Sequence, residues 1–458
     1  MSEFQYDLVV IGAGPGGYEA AFEAADYGMK VALVEKDLVG GTCLNRGCIP
    51  TKTMMHSSDA YREATCSENI GITVTGAKAD LNRIIDRKEE VSKTLRDGIL
   101  FMAKKKKIDY IQGAAKVTDG HTVEIQGNDE VERLTAENIL IATGSIPAVP
   151  PIPGIDLEGV LDSTGLLELR GEIMEDFVII GGGVIGIEFA TIYSDLGTKV
   201  TVVEAMDRLL PNMDKELGRS LKMNFKNRGI DVHTNAMVEK IEKKGDRLVC
   251  FFKEKDEVKE VEAAHILVCT GRRPMSKDIF SEDLAEKLIG ERGFLKIDEC
   301  YRTEIPSIYG VGDVIGGTML AHTATAEGRN AVGIMNGKEP TIDMNTVPGC
   351  IYTSPEIASV GITQDEAKEM GIDVVVKKVP TSANGKTVIA ELDRGFIKLV
   401  ADKESHQLLG AQLMCGRASD IVGELSVAIS NELTLEDIAN TIHPHPSFVE
   451  AVCDTARA

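Results

Sequence analysis

Two stretches of the chain match at a constant separation of 169 residues. Asp7-Leu-Val-Val-Ile-Gly-Ala-Gly-Pro-Gly-Gly is echoed by Asp176-Phe-Val-Ile-Ile-Gly-Gly-Gly-Val-Ile-Gly, which superposes Gly12, Gly14 and Gly17 on Gly181, Gly183 and Gly186. The same shift lays Glu19 on Glu188, Asp26 on Asp195, Gly28 on Gly197, Lys30 on Lys199 and Glu35 on Glu204. Each copy reads as a short apolar strand (8–11, 177–180), a glycine turn, a helix and a second strand (31–34, 200–203) that ends in an acid. Glycines permit the tight turn, let the backbone approach a pyrophosphate and let the helix pack on the strand. The helix N-terminus then offers free N–H groups to phosphate. Glu35 and Glu204 each lie 23 residues after the first glycine of their copy, where an acid can bind a ribose hydroxyl pair. Two dinucleotide sites are therefore expected. Glu204 is followed by Ala205 and Met206, and the first cation is Arg208, so a 2′-phosphate would lack a partner and the second site favours NAD.

At 458 residues the chain is expected to form several domains. The units echo each other again where apolar 139–142 ends in Thr143-Gly144 and 266–269 ends in Thr270-Gly271. Pro147-Ala-Val-Pro-Pro-Ile-Pro-Gly154 reads as a linker. From about Val347 the pattern changes to strand-like (374–379, 396–400, 408–413) and helical (418–431, 435–439) segments, expected to form a separate α+β domain. No apolar run approaches the roughly 18 residues of a membrane span. The run 8–11 leads into glycines and not into a cleavage site, so a cytoplasmic protein is expected. A net charge of −22 argues against a polyanionic partner such as nucleic acid. The basic run Lys104–Lys107 reads as a solvated helix end.

Nine cysteines in a chain of this length do not make a disulfide scaffold. Where thiols are kept reduced, a close pair is catalytic or metal-binding more often than structural. Gly40-Gly-Thr-Cys43-Leu-Asn-Arg-Gly-Cys48-Ile-Pro-Thr-Lys52 follows directly on the acid of the first unit, which places both thiols near the cofactor bound there. A separation of five lets the sulfurs meet across a turn entering a helix, with Pro50 in its first turn. A helix N-terminus and nearby cations raise thiol reactivity. Lys52, four residues on, shares the helix face of Cys48. Glu188 could pair with Lys52 if the two sites face one another; otherwise it is an ordinary surface acid. A zinc site finds only His56 nearby and no second CxxC, so no metal is expected. A structural disulfide or two unrelated buried thiols are the other readings, and redox activity is the favoured one. Near the far end, His443-Pro-His445-Pro-Ser-Phe-Val-Glu450 supplies a histidine with an acid five residues on, able to fix its tautomer and raise its basicity.

Over essentially the whole chain these motifs resemble the pyridine nucleotide–disulfide oxidoreductases, and within them the branch that handles lipoamide. The most specific pieces are 40–52, 142–144, 271–274, 312–313, 319–322, 383–385 and 443–450. The resemblance implies an α/β fold of two Rossmann-like dinucleotide-binding domains, for FAD and NAD, plus a C-terminal α+β dimerisation domain. The divisions expected are 1–147 (FAD, first part), 148–272 (NAD), 273–342 (completing the FAD domain) and 343–458 (interface). FAD would be held by Gly12, Gly14, Gly17, Glu35, Lys36, Gly41, Thr42, Lys52, Gly113, Thr143, Gly144, Ser145, Asp313, Met319, Leu320, Ala321 and His322. NAD would be held by Gly181, Gly183, Val184, Ile185, Gly186, Glu188, Glu204, Val238 and Gly271. Cys43 would exchange with substrate, Cys48 would lie against the flavin, and His445, oriented by Glu450, would act as acid–base on the cysteines of the other subunit of a homodimer. The activity implied is oxidation of protein-bound dihydrolipoamide to lipoamide through the Cys43–Cys48 disulfide and FAD, with NAD⁺ reduced to NADH.

Ser447-Phe448-Val449, Gly310 and Met275 depart from the usual family residues. No lipoyl domain precedes the first unit, so the lipoyl group is expected on another protein, of a 2-oxoacid dehydrogenase or glycine cleavage complex. The nearest rival is another disulfide reductase of the same fold. A glutathione-type enzyme would want NADP, and a mercuric reductase would want paired C-terminal cysteines where only Cys453 stands. A non-catalytic flavin- or NADH-binding module would need neither both thiols nor the His–Glu pair.

Overall fold

A computed structural model describes residues 4–127 and 131–458. The first unit runs β1 (Tyr6–Ile11), α1 (Pro15–Asp26), β2 (Val31–Glu35), α2 (Gly41–Arg46), α3 (Cys48–Thr65), α4 (Leu81–Lys105) and β3 (Asp109–Gln112), then β4 (Ala114–Asp119), β5 (Thr122–Gln126) and β6 (Val131–Ile141). The strand order is β3-β2-β1-β6, all parallel, with strand Ile308–Gly310 returning late in the chain to pair with β6. Burial on both faces explains why β1 and β2 are almost wholly apolar. Leu8, Val10 and Leu33 pack to one side among the alanines of α1, while Val9, Ile11 and Ala32 pack to the other.

After β7 (Ser145–Pro147) the second unit runs β8 (Val160–Leu161), α5 (Ser163–Leu167), β9 (Asp176–Ile180), α6 (Val184–Asp195), β10 (Lys199–Glu204), α7 (Lys215–Asn227) and β11 (Asp231–Thr234). A three-stranded antiparallel ribbon of β12 (Ala236–Lys244), β13 (Arg247–Glu254) and β14 (Glu257–Ala263) then leads to β15 (His265–Val268), and the parallel order is β11-β10-β9-β15-β8. The chain leaves this unit through β16 (Arg272–Pro274), which pairs antiparallel with β7, so the strand leading into the unit and the one leaving it lie side by side. The last sheet is antiparallel throughout, in the order Gly349–Ile351, Glu356–Gly361, Leu408–Cys415, Phe396–Asp402, Val374–Pro380, with helix Ala418–Ser430 packed on it. The architecture is two Rossmann-like α/β units and an α+β unit.

The repeat extends to single hydrogen bonds. Gly12 N–H donates to Val34 O at 2.8 Å and Gly181 N–H to Val203 O at 2.9 Å. A Cβ on Gly17 would stand 1.8 Å from Gly12 O, and one on Gly186 2.1 Å from Gly181 O, so helix and turn meet backbone to backbone in both copies.

Two local expectations gain detail. The linker 147–154 is tied down, Pro153 O accepting from Ile241 N–H at 2.8 Å. Of the basic run, Lys106 is folded back onto Asp26 at the end of α1, while Lys104, Lys105 and Lys107 are exposed.

Lys398 of the C-terminal sheet is 2% exposed and donates to Asp214 at 2.5 Å and Glu216 at 2.9 Å, at the start of α7. Lys398→Met would strand the buried Asp214 carboxylate, which is expected to cost about 3–5 kcal/mol in urea unfolding. A loss under about 1 kcal/mol would show that water takes over the pairing.

Candidate active site

Chain geometry brings the two thiols together. Gly40 (φ +95°) starts α2, which carries Cys43; the helix breaks at Gly47 and restarts at Cys48 as α3. Cys43 thus sits in a short helix of its own, where the sequence led us to expect a turn. Asn45, between the thiols, fastens this segment: its amide donates to Val39 O at 3.0 Å and Gly41 O at 2.9 Å. Its carbonyl accepts from Arg96 of α4 at 2.8 Å.

Both thiols are free, Cys43 half-buried and Cys48 exposed in the single chain. The neighbouring Cys43 thiol draws the Cys48 thiol down to about 7 against its partial enclosure, with the Lys52 charge helping and Glu188 opposing. A hydrogen bond with Cys48, burial and the neighbouring sulfur push the Cys43 thiol up. The position of Cys48 as first residue of an 18-residue helix supports a thiolate there.

One turn along α3, Lys52 Nζ donates to both carboxylate oxygens of Glu188 on α6, at 2.8 and 2.7 Å. Glu188 is 5% exposed and Lys52 29%. The pairing the sequence left conditional is therefore present, and it spans the two nucleotide units. Tyr352 completes the cluster: its N–H donates to Glu188 at 3.2 Å and its ring lies 4.6 Å from Lys52 Nζ. No motif pointed to Tyr352, because it arrives from the C-terminal sheet.

The two acids ending β2 and β10 sit identically. Glu35 accepts from Ala13 N–H at 2.8 Å and Asp37 N–H at 2.9 Å; Glu204 accepts from Gly182 N–H at 2.5 Å and Met206 N–H at 2.6 Å. Each carboxylate keeps lone pairs for hydroxyl donors. A Cβ on Gly14 would meet nothing nearer than Gly41 Cα at 3.9 Å, and one on Gly183 or Gly271 would meet nothing within 4 Å. Protein packing does not demand glycine at Gly14 or Gly183, where open backbone facing a ligand does, whereas the φ of +139° at Gly271 requires glycine by itself; neither α1 nor α6 has a side-chain cap over its first turn. The residues present fit two dinucleotides.

Around the first site, Gly113 N–H donates to Glu35 O, Thr143 Oγ1 donates to Met275 O at 2.6 Å, and Lys36 Nζ lies 3.1 Å from Met275 Sδ. Thr42 Oγ1 reaches Ser145 O at 3.5 Å, and Ser145 Oγ donates to Asp313. Arg272, not singled out from sequence, donates to Ser145 Oγ at 2.7 Å and Ser145 O at 2.6 Å, and lies 3.7 Å from Asp313. It knots the β7–β16 crossing to the 312–313 turn. Met319 and Leu320 precede helix Ala321–Met335, whose exposed His322 lies 2.7 Å from Pro348 O. Val184 and Ile185 open α6, and Val238 is buried on β12.

His445 lies elsewhere in the chain. Its Nδ1 is 2.8 Å from Glu450 Oε1, whose other oxygen accepts from Ser447 N–H at 2.8 Å. That N–H, then His445, holds the Glu450 carboxyl below the usual range. The imidazole is 80% exposed, and no hydrogen bond joins it to either cysteine among the described residues. Among the described residues no group of three or more His, Cys, Asp or Glu could hold a metal, and no helix is long and apolar enough to cross a membrane.

Residues 6–328 match the pyridine nucleotide-disulphide oxidoreductase family and residues 347–456 its dimerisation domain. The chain belongs to this family. It is an oxidoreductase with FAD and NAD as its cofactors. It is 39% identical over 452 residues to a dihydrolipoyl dehydrogenase of Bacillus subtilis, covering 98% of this chain and 95% of the relative. One from Geobacillus stearothermophilus is 38% identical over 451 residues, covering 98% and 95%. Among solved structures, LpdA from Mycobacterium tuberculosis superposes with a TM-score of 0.90 at 27% identity, covering 98% of this chain and 99% of that one. The flavoprotein disulfide reductase RclA from Escherichia coli, as a Cu(II) complex, superposes at 0.88 and 30% identity, covering 100% and 99%.

Titrating the reduced enzyme by thiolate ultraviolet absorbance, with Cys48→Ser as blank, should give a Cys48 midpoint near 7. Lys52→Met removes the favouring cation and should raise it by about one unit. An unmoved midpoint would show that Lys52 does not act on Cys48.

Proposed function

We propose that this protein is a dihydrolipoyl dehydrogenase: it oxidises protein-bound dihydrolipoamide to lipoamide and reduces NAD⁺ to NADH. The observation that carries this reading is the thiol pair at the head of α3, with Cys48 poised near neutrality one turn from an ion pair that reaches the NAD unit. Relatives named dihydrolipoyl dehydrogenase, matched over 98% of the chain, favour lipoamide as the thiol substrate. Glu204, accepting from Gly182 N–H of the glycine turn and from Met206 N–H, favours NAD over NADP.

In the oxidised enzyme, a dihydrolipoyl thiol gives its proton to His445 of the other subunit and its sulfur attacks Cys43 Sγ, breaking the Cys43–Cys48 bond. Cys48 leaves as the thiolate that the helix terminus and Lys52 favour. The second lipoyl thiol then attacks the mixed disulfide, releasing cyclic lipoamide and leaving the enzyme as dithiol. Glu450 holds the His445 ring so that Nε2 faces outward. FAD, when bound by the first unit, carries the electron pair from the dithiol to NAD⁺. Lys52 and Glu188 are charges held where the helices of the two nucleotide units meet.

The assembly that fits is a cytoplasmic homodimer, built through the dimerisation domain, that receives lipoyl groups carried on a partner of a 2-oxoacid dehydrogenase or glycine cleavage complex. The proposed division remains 1–147, 148–272, 273–342 and 343–458. The likeness to RclA favours one second reading, reduction of another disulfide substrate. Steady-state assays with dihydrolipoamide and NAD⁺, against NADPH and glutathione disulfide, distinguish the two; turnover of the second couple alone would overturn the first reading.

Cys43→Ser should abolish lipoamide turnover with flavin still bound, and retained turnover would refute its exchange role. His445→Gln should lower kcat by about 10²–10⁴-fold.

A further inference from the structure

Helices α3 and α6, which carry Lys52 and Glu188, meet a second time two turns further on. Seven residues past Lys52 and Glu188 stand Asp59 and Asp195. Arg62 of α3 approaches Asp195 at 3.6 Å, and Arg228, just after α7, pairs with the same carboxylate oxygen. Arg62 also donates to Ser354 Oγ at 3.2 Å, two residues beyond Tyr352. The same three pieces therefore form both junctions: α3, α6 and the chain just after strand Gly349–Ile351. The near junction is Lys52, Glu188 and Tyr352; the far one is Arg62, Asp195 and Ser354.

The far junction is a poor source of stability. Asp195 is 2% exposed, and burial lifts its carboxyl and that of Asp59 above the usual range against the pull of Arg62 and Arg228. Asp195 Oδ2, Arg62 Nε and Arg228 Nη1 are buried without a hydrogen-bond partner among the described residues. Apolar side chains of similar volume would hold the helices together as well. What two acids and two arginines provide, and an apolar contact does not, is one register: a slide of either helix separates buried charges.

We propose that Asp195, gripped by Arg62 and Arg228, is a positioning residue for the redox centre, locking α6 on α3 so that Glu188 stays on Lys52 one turn from Cys48. This rests on the reading of Cys48 and Lys52 given above. The charged and titratable groups that act on or feel Cys48 are Cys43, Lys52, Glu188 and Arg272. Asp195 is not among them and can reach the thiol only through the helix register.

The test is the thiolate titration of the flavin-loaded, reduced enzyme. Asp195→Asn, which keeps shape and removes charge, should move the Cys48 midpoint by about half a pH unit or more, because Glu188 then leaves its place on Lys52. Asp195→Glu, which restores the charge, should bring it back toward the wild-type value. If Asp195→Asn does not fold, Arg62→Gln opens the same junction from the α3 side and should shift the midpoint in the same direction and by a similar amount. A lower melting temperature with an unmoved midpoint would overturn the proposal and leave the cluster a structural tie. An unmoved midpoint in Lys52→Met would instead remove the reading of the centre itself.

Discussion

One ion pair joins the two halves of this molecule at the place where its chemistry is assembled. Lys52 belongs to the helix that starts at Cys48, and Glu188 to the helix that starts at the second glycine turn. Their bidentate contact requires α3 and α6 to lie side by side where the two nucleotide units meet. Glu188 is nearly buried, so its charge would be costly without Lys52. The pair therefore selects the arrangement of the units as much as it tunes the thiols, and Tyr352 brings the last sheet to the same point.

The nucleotide units show why the repeat was kept in such detail. Each has a glycine at the turn with φ near +100°, a second at the crossing where a side chain has no room, and an acid that accepts from the loop. These demands are local, set by hard-sphere contact and backbone hydrogen bonds, so they leave the same letters at the same spacing in both copies. The third glycine of each set differs in kind. Gly14 and Gly183 touch little protein, and their smallness serves what lies outside the chain.

Sequence reading succeeded where a residue's job is done within its own neighbourhood. The strands of both sheets, the helix beginning at Cys48 and the His445–Glu450 contact all lie within a few residues of the signals that announced them. It missed Arg272, Tyr352, Asn45 and Arg96, which act on partners 51 to 164 residues away. Asn45 and Arg272 stand inside motifs the sequence did flag, but their partners are too distant in the chain for the motif to name them. Asp195 is instructive: its match to Asp26 was visible in the repeat, yet Asp26 lies at the surface holding Lys106 while Asp195 is buried between two arginines.

By itself the amino-acid order determined two glycine-turn units, an acid at the end of each second strand and a thiol pair beside the first, because each is dictated by short-range sterics and spacing. Which way the two units face, that Glu188 meets Lys52, that Lys52 lies beside Tyr352, and that His445 is exposed were decided only when the sheets packed. Those outcomes depend on burial and on charges brought together from far apart in the chain, and neither quantity exists until the fold does.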